Sequence, residues 1–298
     1  VVKDIGPWSE KDKMEIETII KEIDSLKPVS SMTEKIMEIA CNPDSNLAEL
    51  VEVVKYDQSV TANLLRICNS SYFGLSKEIV SIKQAVTYLG LEKVACLIMM
   101  GSSADNFKGP QSGYDLNEGE LWRYSVSSAL IAQDLAEKRH LKNVSLIFTS
   151  ALIKDIGKVI LNRYVKDAFN EIIQAVQKNG LAFMDVEKEV IGIDHAELGA
   201  RVAERWNFSS TMVNIIRNHH HPDRDSPGDL AIPIIYVADT ICMMIGVGVG
   251  ADGLSYRHYQ GVMDRLNFSD VDLQNTIADF WEKLKGVEDL VQLSQVRK

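Results

Sequence analysis

The chain has 298 residues, 46% of them apolar, and a formal net charge of −10. That length can bury a core as one large domain or two modest ones, and no charge block or low-complexity run marks a long disordered stretch. The acidic balance excludes the broad basic surface that sequence-independent nucleic-acid binding needs, but leaves room for a local basic pocket around a small phosphate.

Taken in chain order, the pattern is helical almost throughout. Ser31-Met32-Thr33-Glu34 reads as a capping box, in which Ser and Glu satisfy each other's free backbone N–H groups. Its helix stops at Asn42-Pro43. Asn46 with Glu49 opens a second helix, with Leu47, Leu50, Val51 and Val54 at helical spacing. Val60, Leu64, Leu65, Ile67 and Cys68 mark a third. A polar and aromatic turn follows, Asn69-Ser70-Ser71-Tyr72-Phe73-Gly74. Ser81-Ile82-Lys83-Gln84 is another capping box, and Gly90 is a plausible stop. The run from Leu91 to Met100 is strongly apolar and belongs in the core.

The stretch Lys108-Gly109-Pro110-Gln111-Ser112-Gly113-Tyr114 is the best internal boundary. It divides an N-terminal helical lobe (12–107) from a linker (108–118), a second helical lobe (119–250) and C-terminal helices (251–298). Helices are expected from Leu121 to about His140, from Leu146 through the pair Lys154-Asp155, and from Val165 to Lys178 with a stop at Asn179-Gly180. More follow at Ala196–Arg205, Thr211–Asn218 and Leu230–Met244. The tail places Val271, Leu273, Ile277, Phe280, Trp281 and Leu284 on one or two amphipathic helices packing back on the body. No segment shows strand period. The apolar run Leu230 to Gly250 is broken by Pro233 and Asp239 and reads as a buried helix, not a membrane span.

Cys41, Cys68, Cys96 and Cys242 are scattered, without a Cys-x-x-Cys pair. They read as buried reduced thiols of a cytoplasmic protein. Val1-Val2-Lys3-Asp4 lacks a Met and an apolar secretory segment, which leaves open a trimmed start. Met99-Met100 and Met243-Met244 read as core filler, His140 and His221 as surface residues, and His258 as a loop residue.

Residues that carry chemistry recur at helix ends. Glu120 and Tyr124 lie four apart on one helix face. Asp155 and Lys158 are one turn apart. His195 opens a helix, His219-His220-His221-Pro222 closes another, and Asp239 sits within an apolar run. Asp and His suit first-row divalent metals, and several helices can converge them on one core site. A carboxylate in an apolar setting such as Asp239 is unusual, because carboxylates are rarely buried unpaired.

The order and context of these pieces resemble the HD superfamily, and more closely its HDOD branch, over roughly Leu26 to Met244. The resemblance rests on Leu47-Ala48-Glu49-Leu50, Tyr56-Asp57-Gln58-Ser59-Val60-Thr61-Ala62-Asn63-Leu64-Leu65-Arg66, the turn from Asn69 to Gly74, and Ser81 to Gly90. It continues in Leu121-Trp122-Arg123, Lys154-Asp155-Ile156-Gly157-Lys158, His195-Ala196-Glu197-Leu198-Gly199 and His219-His220. It implies an all-α, two-lobed protein with an HD-like helical bundle as the second lobe, in bacterial signalling or regulation. It also implies a pocket at Glu120, Tyr124, Lys154, Asp155, Lys158, His195, His219, His220 and Asp239. Two positions depart from the catalytic pattern. Tyr124 and Lys154 stand where related metal-dependent phosphodiesterases of the HD-GYP type supply histidines, and 221–227 lacks their Gly-Tyr-Pro motif. An ammonium has no lone pair for a metal and repels one.

The function expected is therefore a non-catalytic signalling module that binds a protein partner or a small ligand, with no required cofactor. The alternative is a phosphohydrolase with a reduced site, holding one iron, manganese, zinc or nickel ion on Asp155, His195, His219, His220 and Asp239. A third reading is a sensor binding a nucleotide or phosphate on Lys154 and Lys158. Lys154 is expected to replace the metal's charge by pairing with Asp155 or Asp239. Neither nucleic acid binding nor membrane insertion is expected. Asn69, Tyr72 and Phe73 either form a contact surface or pin their turn to the core.

Overall fold

In the computed structural model, the residues described are 10–26, 32, 35–36, 38–39, 42, 44–54, 58–70, 72–73, 75, 77–224, 229–254 and 261–295. Among them the chain is all-α, and the only bridge pairing is an isolated one between Gln111 and Leu116. The N-terminal part comprises α1 (Glu10–Lys21), α2 (Leu47–Val54), α3 (Gln58–Cys68), α4 (Ile82–Leu89) and α5 (Leu91–Phe107). The larger C-terminal part begins with α6 (Glu120–Lys138), α7 (Val144–Ile153), α8 (Ile156–Asn179) and α9 (Phe183–Ile191). It is completed by α10 (His195–Arg205), α11 (Ser210–Asn218), α12 (Ala231–Met244), α13 (Val262–Arg265) and α14 (Asp270–Gln295).

Local chemistry explains several ends. Asn46 Oδ1 accepts from the Ala48 N–H at 2.9 Å, and Asn46 Nδ2 donates to Glu49 at 2.6 Å, which opens α2. Ser81 Oγ accepts from the Gln84 N–H at 3.2 Å, while the Gln84 side chain accepts from the Val80 N–H, one residue before the cap. Gly180 ends α8 with φ +63°, a conformation that disfavours other residues. The Ser31 capping box, Cys41, Tyr56-Asp57 and His258 lie outside the described residues.

Helices α6, α7 and α12 are buried around most of their circumference. A helix apolar all round belongs in the middle of a fold, and these form its centre. One continuous core runs from Ile19 to Phe280, so both lobes share it. Helix α14 packs across α3, α5 and α6, and Gly286 lies against the backbone of Tyr72. The turn that holds Tyr72 is therefore pinned by the chain's own C-terminal helix. Asn69 contributes by bonding the Ile79 backbone in both directions, at 2.7 and 2.8 Å.

Several expectations need correction. Lys154-Asp155 lies in a turn between α7 and α8, not in a helix, and α8 begins at Ile156 instead of Val165. The break lets two consecutive side chains turn inward. His221 is buried, closed in by the turn at Pro222–Arg224, and Met244 at the end of α12 is 60% exposed. Cys68, Cys96 and Cys242 are buried free thiols, and burial pushes Cys68 up to about 11. Segment 108–118 is tightly folded: Gln111 and Leu116 exchange backbone hydrogen bonds, and Gly113 N donates to Asn162 Oδ1 at 2.7 Å. Tyr114 is thereby carried into the core. Among the described residues, no helix is long and apolar enough to cross a membrane.

Candidate functional site

The site begins with a close helix contact. A Cβ at Gly157 would collide with the His195 carbonyl oxygen, and one at Gly199 would lie 3.1 Å from the Lys154 carbonyl oxygen. Glycine at both positions lets α8 and α10 touch backbone to backbone. That contact sets His195, at the start of α10, beside the Lys154-Asp155 turn. Asp194 caps α10 by accepting from the Glu197 N–H at 2.7 Å. Helix α11 ends at Asn218 and delivers His219 and His220, while α12 brings in Asp239.

One half of the site is ionic. Lys154 is fully buried; its ammonium pairs with Asp155 and lies 2.8 Å from Asp239. Lys158, 3% exposed, lies 2.8 Å from Asp155 and 2.7 Å from Asp252. Ser128 donates to Asp239 at 3.2 Å. The Tyr124 ring faces both ammonium groups, 4.7 Å from Lys154 and 5.6 Å from Lys158, which adds a cation–π contribution. Burial disfavours charge on Lys154 and Lys158, but the aspartates outweigh it and hold both above the ordinary lysine range. Burial also opposes charge on Asp155, yet Lys154 and Lys158 hold its carboxyl well below the usual range. Lys154 and Tyr124 thus fill one space with charge and ring.

The other half is made of imidazoles. Glu187, on α9, accepts from the His195 backbone N–H at 2.8 Å, from His195 Nδ1 at 2.7 Å and from the Tyr114 hydroxyl. Burial opposes a charge on His195, but Glu187 outweighs it and raises the group above its ordinary value. His195 Nε2 lies 2.9 Å from His220 Nε2, so one of the two rings donates to the other. His219 Nδ1 faces the Ile216 carbonyl at 2.7 Å, so it carries the proton and donates. Among the described residues, His219 Nε2 is left as a buried lone pair with no hydrogen-bond partner. Burial, reinforced for His219 by Lys154 and for His220 by His219, holds both well below the ordinary histidine value.

One ring nitrogen from each of His195, His219 and His220 lies within 4.8 Å of the others. These donors fit a single divalent metal. Nδ1 of both His195 and His219 is anchored on an oxygen acceptor, the outer-shell arrangement that leaves Nε2 for ligation. The metal would compete with the proton between His195 Nε2 and His220 Nε2. Asp155 and Asp239, expected as ligands, pair with the lysines in this structure, and Asp155 Oδ1 is 3.8 Å from His195 Nε2. Glu120 accepts from the Asn117 backbone N–H at 2.6 Å and from the Asn117 side-chain amide at 3.2 Å, so its carboxylate ties down the turn before its helix.

Sequence reading missed Tyr114, Ser128, Glu187 and Asp252. Tyr114 sat in an apparent linker and Ser128 in a run of small residues. Glu187 is fully buried within an amphipathic helix whose other acids are not, and Asp252 follows a Gly-rich stretch. None stood at a motif spacing that could have revealed it.

The fold finds counterparts among known proteins. An HDOD domain protein of unknown function from Geobacter sulfurreducens is 25% identical, with 92% of this chain and 97% of that one covered and a TM-score of 0.73. A candidate signal transduction protein from Marinobacter aquaeolei VT8 (20% identical, 96% and 66% covered, TM-score 0.75) shares the fold. So does a candidate phosphohydrolase from Shewanella amazonensis SB2B (21% identical, 92% and 97% covered, TM-score 0.68). An uncharacterized protein of Treponema pallidum is 24% identical over 207 residues, which are 68% of this chain but 39% of that protein's length. The family model of the HDOD domain matches residues 26–222, two thirds of the chain, and the chain belongs to the HDOD domain family.

Proposed function

We propose that this chain is a non-catalytic signalling or regulatory module that works by binding a protein partner or a small phosphate ligand. The observation that carries this reading is Lys154. Its buried ammonium sits between Asp155 and Asp239, two carboxylates that could otherwise ligate a metal. Two-metal hydrolysis needs both sides of a phosphate clamped by metal charge. Here one side is an ammonium under a Tyr124 ring. The test is phosphodiester hydrolysis by the purified protein with added manganese or iron. No turnover above background is expected, and turnover abolished by Asp155→Ala would overturn the proposal.

A second reading has its own support in the three imidazoles and the unpartnered His219 Nε2. On it, His195, His219 and His220 hold one divalent ion, which would supply Lewis-acid chemistry or simply rigidity. Metal analysis after chelator-free purification separates the two. The second reading requires about one equivalent, lost in His219→Ala; a substoichiometric content that His219→Ala leaves unchanged supports the first.

A further inference from the structure

The ionic half of the site is closed from outside by one carboxylate, and its geometry goes beyond the pairing of Lys154. Lys158 is buried at 3% exposure, whereas its partner Asp252 is 20% exposed. Asp252 lies in the short turn Ala251–Leu254, which follows the run Gly246-Val247-Gly248-Val249-Gly250 after α12. This run is threaded against the two aromatic residues of the pocket. A Cβ at Gly250 would collide with the Tyr114 carbonyl oxygen, and one at Gly248 would lie 2.7 Å from the Tyr124 Cβ. The Tyr114 and Tyr124 rings both stand over Lys158, at 5.7 and 5.6 Å. Glycines let the strap descend far enough for Asp252 to reach the ammonium.

We infer that residues 246–252 form a displaceable strap whose Asp252 carboxylate occupies a phosphate-binding position on Lys158. The inference rests on the ligand-binding reading above and names the ligand class and its regulation. Lys158 has three N–H donors, directed by Asp155 on the inside and Asp252 on the outside. Asp155 is held by both lysines and cannot leave without exposing two buried ammonium groups. Asp252 is the outermost member and is held here by a single ammonium contact. A carboxylate presents one negative charge and two acceptor oxygens. A phosphodiester, or a monoprotonated phosphate, presents the same charge and at least as many oxygens. Exchange of one for the other preserves the ion pairing of Lys158 and releases the strap, so ligand occupancy is converted into a surface change.

The test titrates inorganic phosphate, at constant ionic strength, into wild type, Asp252→Ala, Gly250→Ala and Lys158→Met, by calorimetry. Competition by an internal group lowers apparent affinity by the fraction of open molecules. Asp252→Ala is therefore expected to bind phosphate about ten-fold more tightly than wild type. Gly250→Ala, which forces the strap off Tyr114 without touching Lys158, should do the same and keeps the test decisive if Asp252→Ala does not fold. Lys158→Met should lose binding. In wild type, amide hydrogen exchange over 246–254 should rise on saturation with phosphate. Equal affinity in wild type and both strap variants would overturn the strap while leaving the ligand reading intact. Acetate binding as tightly as phosphate would overturn the phosphate assignment. Absence of binding in every variant would sink both. Phosphodiester turnover by Asp252→Ala together with tightened phosphate binding would leave the strap standing and overturn only the non-catalytic reading.

Discussion

The two halves of the site are built from similarly polar groups under similar burial, yet they reach opposite electrostatic states. In the ionic half, Lys154 and Lys158 alternate with Asp155, Asp239 and Asp252, so every formal charge meets an opposite one. In the imidazole half, Glu187 favours the charged form of one ring, and burial favours the neutral form of the two others. Charge pairing in the first half is complete, although Asp155 Oδ1 makes no hydrogen bond among the described residues, and the second half retains an unused lone pair on His219. The buried Lys154 supplies positive charge only on the side where the aspartates lie.

The largest expected effect tests that completeness. Lys154→Met keeps the volume but takes the ammonium from Asp155 and Asp239; breaking a buried pair costs about 3–5 kcal/mol. Urea unfolding measures the loss. The double variant Lys154→Met with Asp239→Leu should recover much of it, because replacing both partners by apolar groups is often neutral. A loss under about 1 kcal/mol in the single variant would mean that the pair does not hold this half together.

Next is the contact that joins the halves. Gly157→Ala inserts a methyl against the His195 carbonyl, and α8 must move from α10. The expected cost is about 3 kcal/mol, at the upper end for overpacking. Unchanged stability by urea unfolding would show that the helices can separate freely.

The pH dependence of stability separates the halves without mutation. His219 and His220 have folded values below the ordinary 6.5, so below that pH the unfolded chain takes up protons that the folded chain refuses. Their contribution is present above about pH 6.5 and fades on acidification, by up to about 2.7 kcal/mol per pH unit for two groups. His195 has a folded value above 6.5. Its contribution is complete below about pH 6.5 and is lost as the pH rises through its folded value. Unfolding free energies measured from pH 5 to 8 with chelator present should therefore peak near pH 6.5. A profile rising steadily to pH 8 would remove Glu187 from its role.

Glu187→Gln is the smallest perturbation. It keeps the shape but weakens the bonds from Tyr114 and His195, at a cost of about 2 kcal/mol. The alkaline limb of the pH profile should disappear with it, and a retained limb would assign the raised His195 to another group.

Much of this was legible before folding. Ser81 with Gln84 and Asn46 with Glu49 announced helix starts, because capping is settled within four residues. The apolar run of α12 announced a buried helix. The motif residues His195, His219 and His220 could be grouped from their family spacing. By contrast, the sequence alone misplaced Lys154-Asp155 in a helix, since its apolar flanks gave no stop signal. The resemblance also drew Glu120 into the pocket, whereas its carboxylate bonds the turn at Asn117.

By itself, then, the sequence determined the helical class, the family and the lysine-aspartate pair at 154–155. Those depend on local periodicity and residue chemistry, which the chain carries at every position. The tertiary structure decided which charges met. Tyr114 and Glu187 lie 73 positions apart, Lys158 and Asp252 lie 94, and Ser128 and Asp239 lie 111. Pairing over such distances follows from helix packing, set here by backbone contacts at Gly157 and Gly199 that no local pattern encodes.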